Sequence, residues 1–212
     1  MIPLASDTPA RPRSHRLDQD VLGVVFCGGE SRRMGRDKAR LVLDGATLLE
    51  RATRVLVGVT PRVLLATGRA PRYTELGLDC LVDARAGAGP LAGLVMDLQR
   101  IQREGLAYAC VLACDMPRVS TAVFQALLAR ARAEDADVCL VRTRAGLEPL
   151  CGVYHARCLL AVRAALARGE RRMDSFHSSV RLLTLSEEEL APDCTRNLNT
   201  PEEFRAAGGS LA

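Results

Sequence analysis

The apolar run Val21-Leu22-Gly23-Val24-Val25 leads without a break into Phe26-Cys27-Gly28-Gly29-Glu30-Ser31-Arg32-Arg33-Met34-Gly35-Arg36-Asp37-Lys38-Ala39. A short β-branched run of this kind makes a buried strand, which puts the next segment at the strand's carboxyl end. There the chain places two adjacent glycines and the cations Arg32, Arg33, Arg36 and Lys38. Glycine lets backbone N–H groups approach a ligand closely, and the cations call for an anion, so a polyphosphate is the expected guest.

The rest of the chain alternates in the same way. Leu48 to Val57 has helical spacing, and Val63 to Ala66 forms a second strand after Pro61. Leu81-Val82 predicts a third strand, followed by the Gly/Ala loop Ala84 to Gly89 and a helix from about Leu91 to Gln102. A fourth strand, Ala107 to Ala113, ends at Cys114-Asp115-Met116-Pro117, where the proline stops it. Ser120 is expected to cap a helix over Thr121 to Ala133, and strands are expected at Val138 to Val141, Leu150 to Tyr154 and Val180 to Leu183. His155 to Arg168 predicts an amphipathic helix ended by Gly169, and Thr200-Pro201-Glu202-Glu203 is a capping box. Such alternation predicts an α/β three-layer sandwich with a mostly parallel sheet, whose ligands bind outside the carboxyl ends of the strands. The opening loop, Asp83 and Asp115 all fall at such ends.

At 212 residues with 48% hydrophobic content, the chain suits one domain over residues 21–212, preceded by a polar, Pro- and Arg-rich tail over 1–20 that lacks hydrophobic periodicity and is expected to be disordered. A net charge of +4 and only three Tyr, four Phe and no Trp argue against a nucleic-acid binder. No run approaches the ~20 apolar residues that cross a bilayer. Eight cysteines without a CxxC pair, and three histidines at no zinc-ligand spacing, fit reduced thiols in a cytoplasmic protein.

The glycine loop is neither a P-loop, since Gly29 and Gly35 stand too far apart with Arg36 following, nor a GxGxxG fingerprint. It closely resembles the nucleotidyltransferase signature LAGGxSxRMGxDK through Gly28, Gly29, Ser31, Arg33, Met34, Gly35, Asp37 and Lys38. Within that superfamily the chain resembles the molybdenum cofactor guanylyltransferases, the MobA family. The resemblance is carried by Gly89-Pro90-Leu91-Ala92-Gly93, Cys114-Asp115-Met116-Pro117, Glu148-Pro149-Leu150, Gly169-Glu170-Arg171-Arg172 and Asn197-Leu198-Asn199-Thr200-Pro201-Glu202-Glu203.

The resemblance implies a Rossmann-like nucleotidyltransferase fold and transfer of GMP from GTP to a molybdopterin-type cofactor, with a molybdoenzyme or a cofactor-insertion protein downstream. It implies Mg²⁺, a hard ion that takes carboxylate, phosphate and water oxygens, held by Asp115. Lys38 and Arg33 join Asp115 as catalytic groups. Phe26, Cys27, Gly28, Gly29, Lys38, Asp83 and Asp115 form the nucleotide site, with Asp83 accepting from guanine N–H donors. Asn197 and Asn199, two apart and pointing the same way on an extended segment, would meet the acceptor with Arg171 and Arg172. Asp37 is expected to order the loop. A turn role for Asp83 or Asp115, and solvated arginines, are the plainer alternatives.

Two positions depart from the pattern. Cys27 replaces the usual alanine, and a thiol beside cations is expected to be oxidisable. Ala66 stands where many relatives have a nucleotide-touching asparagine. A cytidylyltransferase and a silent nucleotide-binding module are the rival readings.

Overall fold

The computed structural model describes residues 17–28, 35–68, 70–82 and 89–210. Residues 1–16 of the tail expected over 1–20, together with Gly29, Arg33, Asp83 and the loop residues 84–88, lie outside them. Residues 17–20 lie against the fold: the Asp18 N–H donates to the Val59 carbonyl, and Arg132 pairs with Asp18 and Asp20.

In chain order the strands are β1 Val21–Phe26, β2 Val42–Leu43, β3 Ala46–Thr47, β4 Val63–Gly68, β5 Asp79–Val82, β6 Tyr108–Ala113, β7 Val138–Thr143, β8 Gly146–His155 and β9 Leu182–Ser186. The helices are α1 Leu48–Val57, α2 Pro90–Arg103, α3 Thr121–Ala133, α4 Leu159–Ala167, α5 Glu187–Leu190 and α6 Pro201–Ala206. Seven strands form one sheet in the order β5-β4-β1-β6-β8-β7-β9, parallel except where β8 runs antiparallel between β6 and β7.

Side chains alternate across the sheet. Val21 and Val25 of β1 pack with Leu49 and Leu56 of α1 and Phe124 and Leu127 of α3. Leu22 and Val24 face the other way, onto Leu94 and Leu98 of α2 and Val162 of α4. These are the three layers the alternating pattern predicts. A small third cluster, Leu41, Leu43, Leu48, Leu198 and Phe204, ties the β2–β3 hairpin to the C-terminal segment. The hairpin turns on Asp44-Gly45, both at positive φ (48° and 76°), the Asp-Gly chemistry such a turn needs.

Several expectations need correction. Strand β8 begins at Gly146 rather than Leu150, because a tight turn joins it to β7 as a hairpin. No helix starts at His155: its N–H donates to the Asp137 carbonyl within the sheet, a 3-10 turn spans Ala156–Cys158, and α4 begins only at Leu159. The last strand lies at Leu182–Ser186, where it pairs with β7. Ser120 sits at the N-cap of α3 in extended geometry without a side-chain hydrogen bond. The capping box at Thr200 and Glu203 is present as expected.

Candidate active site

Strands β1, β4 and β6 end on one rim of the sheet, above a cleft of about 700 Å³ lined by Phe26, Cys27, Gly28, Lys38, Asp115, Glu148, Arg172, Asn197 and Asn199 among others. Lys38 opens a 3-10 turn, Lys38–Arg40, whose N-cap Asp37 accepts the Ala39 N–H. From there the Lys38 Nζ reaches the Asp115 Oδ2 at 2.9 Å and the Asn199 Oδ1 at 2.8 Å. Both charged side chains are largely buried, 14% exposed for Lys38 and 19% for Asp115. Residues separated by 77 and 161 positions thus meet at one ammonium group.

Asn199 is carried there by packing. Leu198 is buried in the third apolar cluster, and its N–H donates to the Asp115 carbonyl at 2.9 Å. Its neighbours Asn197 and Asn199 both line the cleft, as their spacing predicts. Glu203 of α6 then accepts the Asn199 and Thr200 N–H groups, fixing the segment's exit.

The glycines serve packing as much as ligand approach. A Cβ on Gly28 would lie 2.6 Å from the Gly68 nitrogen, so β1 and β4 leave the sheet in backbone contact. One on Gly93 would meet the Phe26 ring at 3.0 Å, and one on Gly89, at φ 76°, would meet the Arg171 carbonyl oxygen at 3.0 Å. Phe26 therefore walls the cleft against α2, and Arg171 contributes backbone contact against Gly89. Arg172 lines the cleft, is 83% exposed, and pairs with Asp174 at 2.7 Å.

The expectation for the Cys27 thiol is overturned by its surroundings. Burial pushes it up to about 12 despite the opposing charge of Arg72, and its Sγ donates to the Ala66 carbonyl. It is a packed neutral thiol rather than an oxidisable one. Ala66 lines the cleft, and through its backbone it accepts the Cys27 N–H at 3.1 Å.

A second carboxyl in the cleft is one that sequence reasoning misses. Glu148 stands in the chain only as part of a motif, with no role attached. In β8, Leu140 faces Gly152 while the next β7 residue, Val141, faces Glu148, so Pro149 to Cys151 bulge out of the β7 pairing. The buried Tyr154 hydroxyl donates to the Pro149 carbonyl at 2.5 Å and pins the bulge. Burial, then the nearby Asp115, raises the Glu148 carboxyl above its usual range, and the neighbouring Asn197 side chain opposes this. A glutamate ahead of a proline inside an apolar strand is the signal that could have marked it.

The Asp115 Oδ1 is buried and makes no hydrogen bond. An orphaned carboxylate oxygen beside a cation suits a hard metal ion. Among the described residues there is no cluster of three or more His, Cys, Asp or Glu side chains. An ion held here would rest on the Asp115 carboxylate, with phosphate and water oxygens able to serve as further ligands.

A mostly parallel sheet with a glycine-bearing strand end and a lysine-carboxylate pair at its rim is the frame of a nucleotidyltransferase. The model of the MobA-like NTP transferase domain matches residues 23–181, and the chain belongs to that family. A probable molybdenum cofactor guanylyltransferase of Opitutus terrae is 39% identical over 191 residues, covering 86% of this chain and 92% of the relative. One from Nostoc is 32% identical, covering 91% and 92%. The crystal structure of molybdopterin-guanine dinucleotide biosynthesis protein A from Archaeoglobus fulgidus superposes with a TM-score of 0.72 at 23% identity, covering 87% of this chain and 95% of that one. Among the described residues no helix is long and apolar enough to cross a membrane, and all eight cysteines are free.

Proposed function

We propose that this nucleotidyltransferase moves GMP from GTP to the phosphate of a molybdopterin-type cofactor, releasing pyrophosphate, in the cytoplasm and with Mg²⁺. The observation that carries the reading is the Lys38 ammonium held between Asp115 and Asn199, which joins the signature loop to the C-terminal Asn-Leu-Asn segment in one cleft. The names of the curated relatives support the guanylyl donor and the acceptor.

In this reaction an acceptor phosphate oxygen bonds to the α-phosphorus as the bond to the pyrophosphate oxygen breaks. Both reactants are anions, so the site must neutralise charge and align them. Lys38 meets the nucleotide phosphates. At about 4 Å and an effective dielectric of ~20, one such charge is worth ~4 kcal/mol. The Gly28 backbone lies at the same strand end, and Gly29 and Arg33 take the signature's roles beside it. Asp115 offers its open oxygen to Mg²⁺, which when bound neutralises phosphate charge. Asp83 accepts the guanine N–H donors, and a site built for those donors rejects adenine. Asn197, Asn199 and Arg172 receive the acceptor, with Arg171 shaping that wall through its backbone.

The test is pyrophosphate release with Mg²⁺ and molybdopterin, comparing GTP, CTP, ATP and UTP. Turnover with GTP alone, cut about a thousandfold or more in Lys38→Ala, is the expected result. Preference for CTP would move the enzyme to a cytidylyl reaction and remove the role given to Asp83. Silence with all four, using an acceptor proven active elsewhere, would overturn the acceptor assignment.

A further inference from the structure

The end of β4 and the stretch after it grip the signature segment at four points. The Cys27 N–H donates to the Ala66 carbonyl at 3.1 Å, and Gly28 lies in backbone contact with Gly68. Farther on, the Asp37 carboxylate takes a hydrogen bond from the Arg72 Nη2 at 2.5 Å and from the Tyr73 hydroxyl, 2.9 and 3.0 Å from its two oxygens. Arg40 closes the set on Glu75 at 2.7 Å.

Tyr73 is the centre of this arrangement. It is 3% exposed, and its backbone is left-handed, with φ 63°. The guanidinium carbons of Arg40 and Arg72 lie 5.3 and 4.8 Å from its ring centroid, within cation–π range. A left-handed tyrosine is strained and persists only where its surroundings over-determine it, a condition common at functional sites. Burial and the Asp37 hydrogen bond push its phenol up, so it remains a proton donor at neutral pH.

Asp37 links this cluster to the reaction. Its carboxylate caps the 3-10 turn that begins at Lys38. A single 3-10 turn is weak by itself, and a lysine has a long flexible stem. What fixes the direction of Lys38 at its root is therefore the cap, and what fixes the cap is Tyr73 with Arg72.

We propose that Tyr73 is a positioning residue for nucleotidyl transfer, its hydroxyl holding Asp37 so that the capped turn aims Lys38 at the phosphates. This rests on the role given to Lys38 above. Nothing in the signature itself points to Tyr73, which lies 36 positions from Asp37.

The test is a kinetic double-mutant cycle on the full chain, combining Tyr73→Phe with Lys38→Arg. Phe keeps the ring and its stacking and removes only the hydroxyl. Tyr73→Phe is expected to lower kcat about tenfold, with KM for the nucleotide changed less than about threefold, because alignment rather than binding is lost. In the Lys38→Arg background the same change should cost less than about twofold, since the lysine it aims is gone. Equal losses in both backgrounds, or an unchanged kcat in Tyr73→Phe, would overturn the proposal. If Tyr73→Phe fails to fold, Arg72→Gln removes another Asp37 partner and is read in the same cycle against the same criteria. Should Lys38→Ala alone retain wild-type kcat, the role of Lys38 fails first, and that result is distinct from a failure of the brace.

Discussion

Asp37 and Asp115 are two carboxylates beside one lysine, and their surroundings differ in kind. Around Asp37 both oxygens are engaged: the Ala39 N–H, the Arg72 guanidinium and the Tyr73 hydroxyl converge on it, with the Arg40 Nε 3.8 Å away. At Asp115 one oxygen meets Lys38 while the other is buried without a hydrogen bond. Folding normally satisfies buried polar atoms. The satisfied aspartate belongs to the scaffold, and the unsatisfied one is the metal ligand of the proposed reaction.

The largest expected effect tests the open side of that contrast. Asp115→Asn should lower turnover by about a thousandfold or more, since a neutral oxygen is a far poorer partner for a hard cation. It should cost less stability than any change at Asp37. If Asp115→Asn instead melts the protein as severely as Asp37→Asn, measured by thermal unfolding, the contrast breaks.

Next in size is Asp37→Asn. The amide can still accept from Ala39, but its NH₂ group faces the Arg72 and Tyr73 donors, so a loss of about 1–3 kcal/mol is expected from denaturant titration. Stability unchanged within error would mean that the cluster is not a scaffold at all.

The smallest effect sharpens the comparison with a third carboxyl. Glu148 is raised above its ordinary value of 4.5, chiefly by burial. A raised carboxyl binds its proton more tightly in the folded state, so its contribution is full at low pH and is lost as pH rises through the native pKa. Glu148→Gln should therefore stabilise the protein at about pH 7 by under about 1 kcal/mol, tempered by solvent screening, and the gain should vanish in acid. A gain that persists well below pH 4.5, where the side chain is protonated in both states, would discard the electrostatic cause.

Local pattern carried much of this architecture into view. Helices α1 and α3 occupy the expected residues, α1 through its helical spacing and α3 through its expected start after Ser120. Lys38 and Asp115 were legible as a strand-end cation and a strand-end acid. Long-range pairing was not. β8 extends past its apolar run because β7 pairs with it, and His155 joins a strand rather than a helix because its backbone is claimed by the sheet. Tyr73 and Glu148 carry no local mark of their partners, which lie far away in sequence. Arg171 and Arg172 read alike in the chain, yet only Arg172 lines the cleft. Asp83 and Arg33 fall outside the described residues, so their roles stand as part of the proposed reaction.

The contact between Gly28 and Gly68 bears on how this sequence can drift. Gly28 is limited by space, with the neighbouring backbone 2.6 Å from any Cβ, whereas Gly68 is limited by its φ of 78°. A change at one therefore cannot be compensated by a change at the other. Among descendants of this chain the two positions should stay fixed independently instead of exchanging in concert, so methods that infer contacts from paired substitutions would miss one of the tightest approaches in the fold.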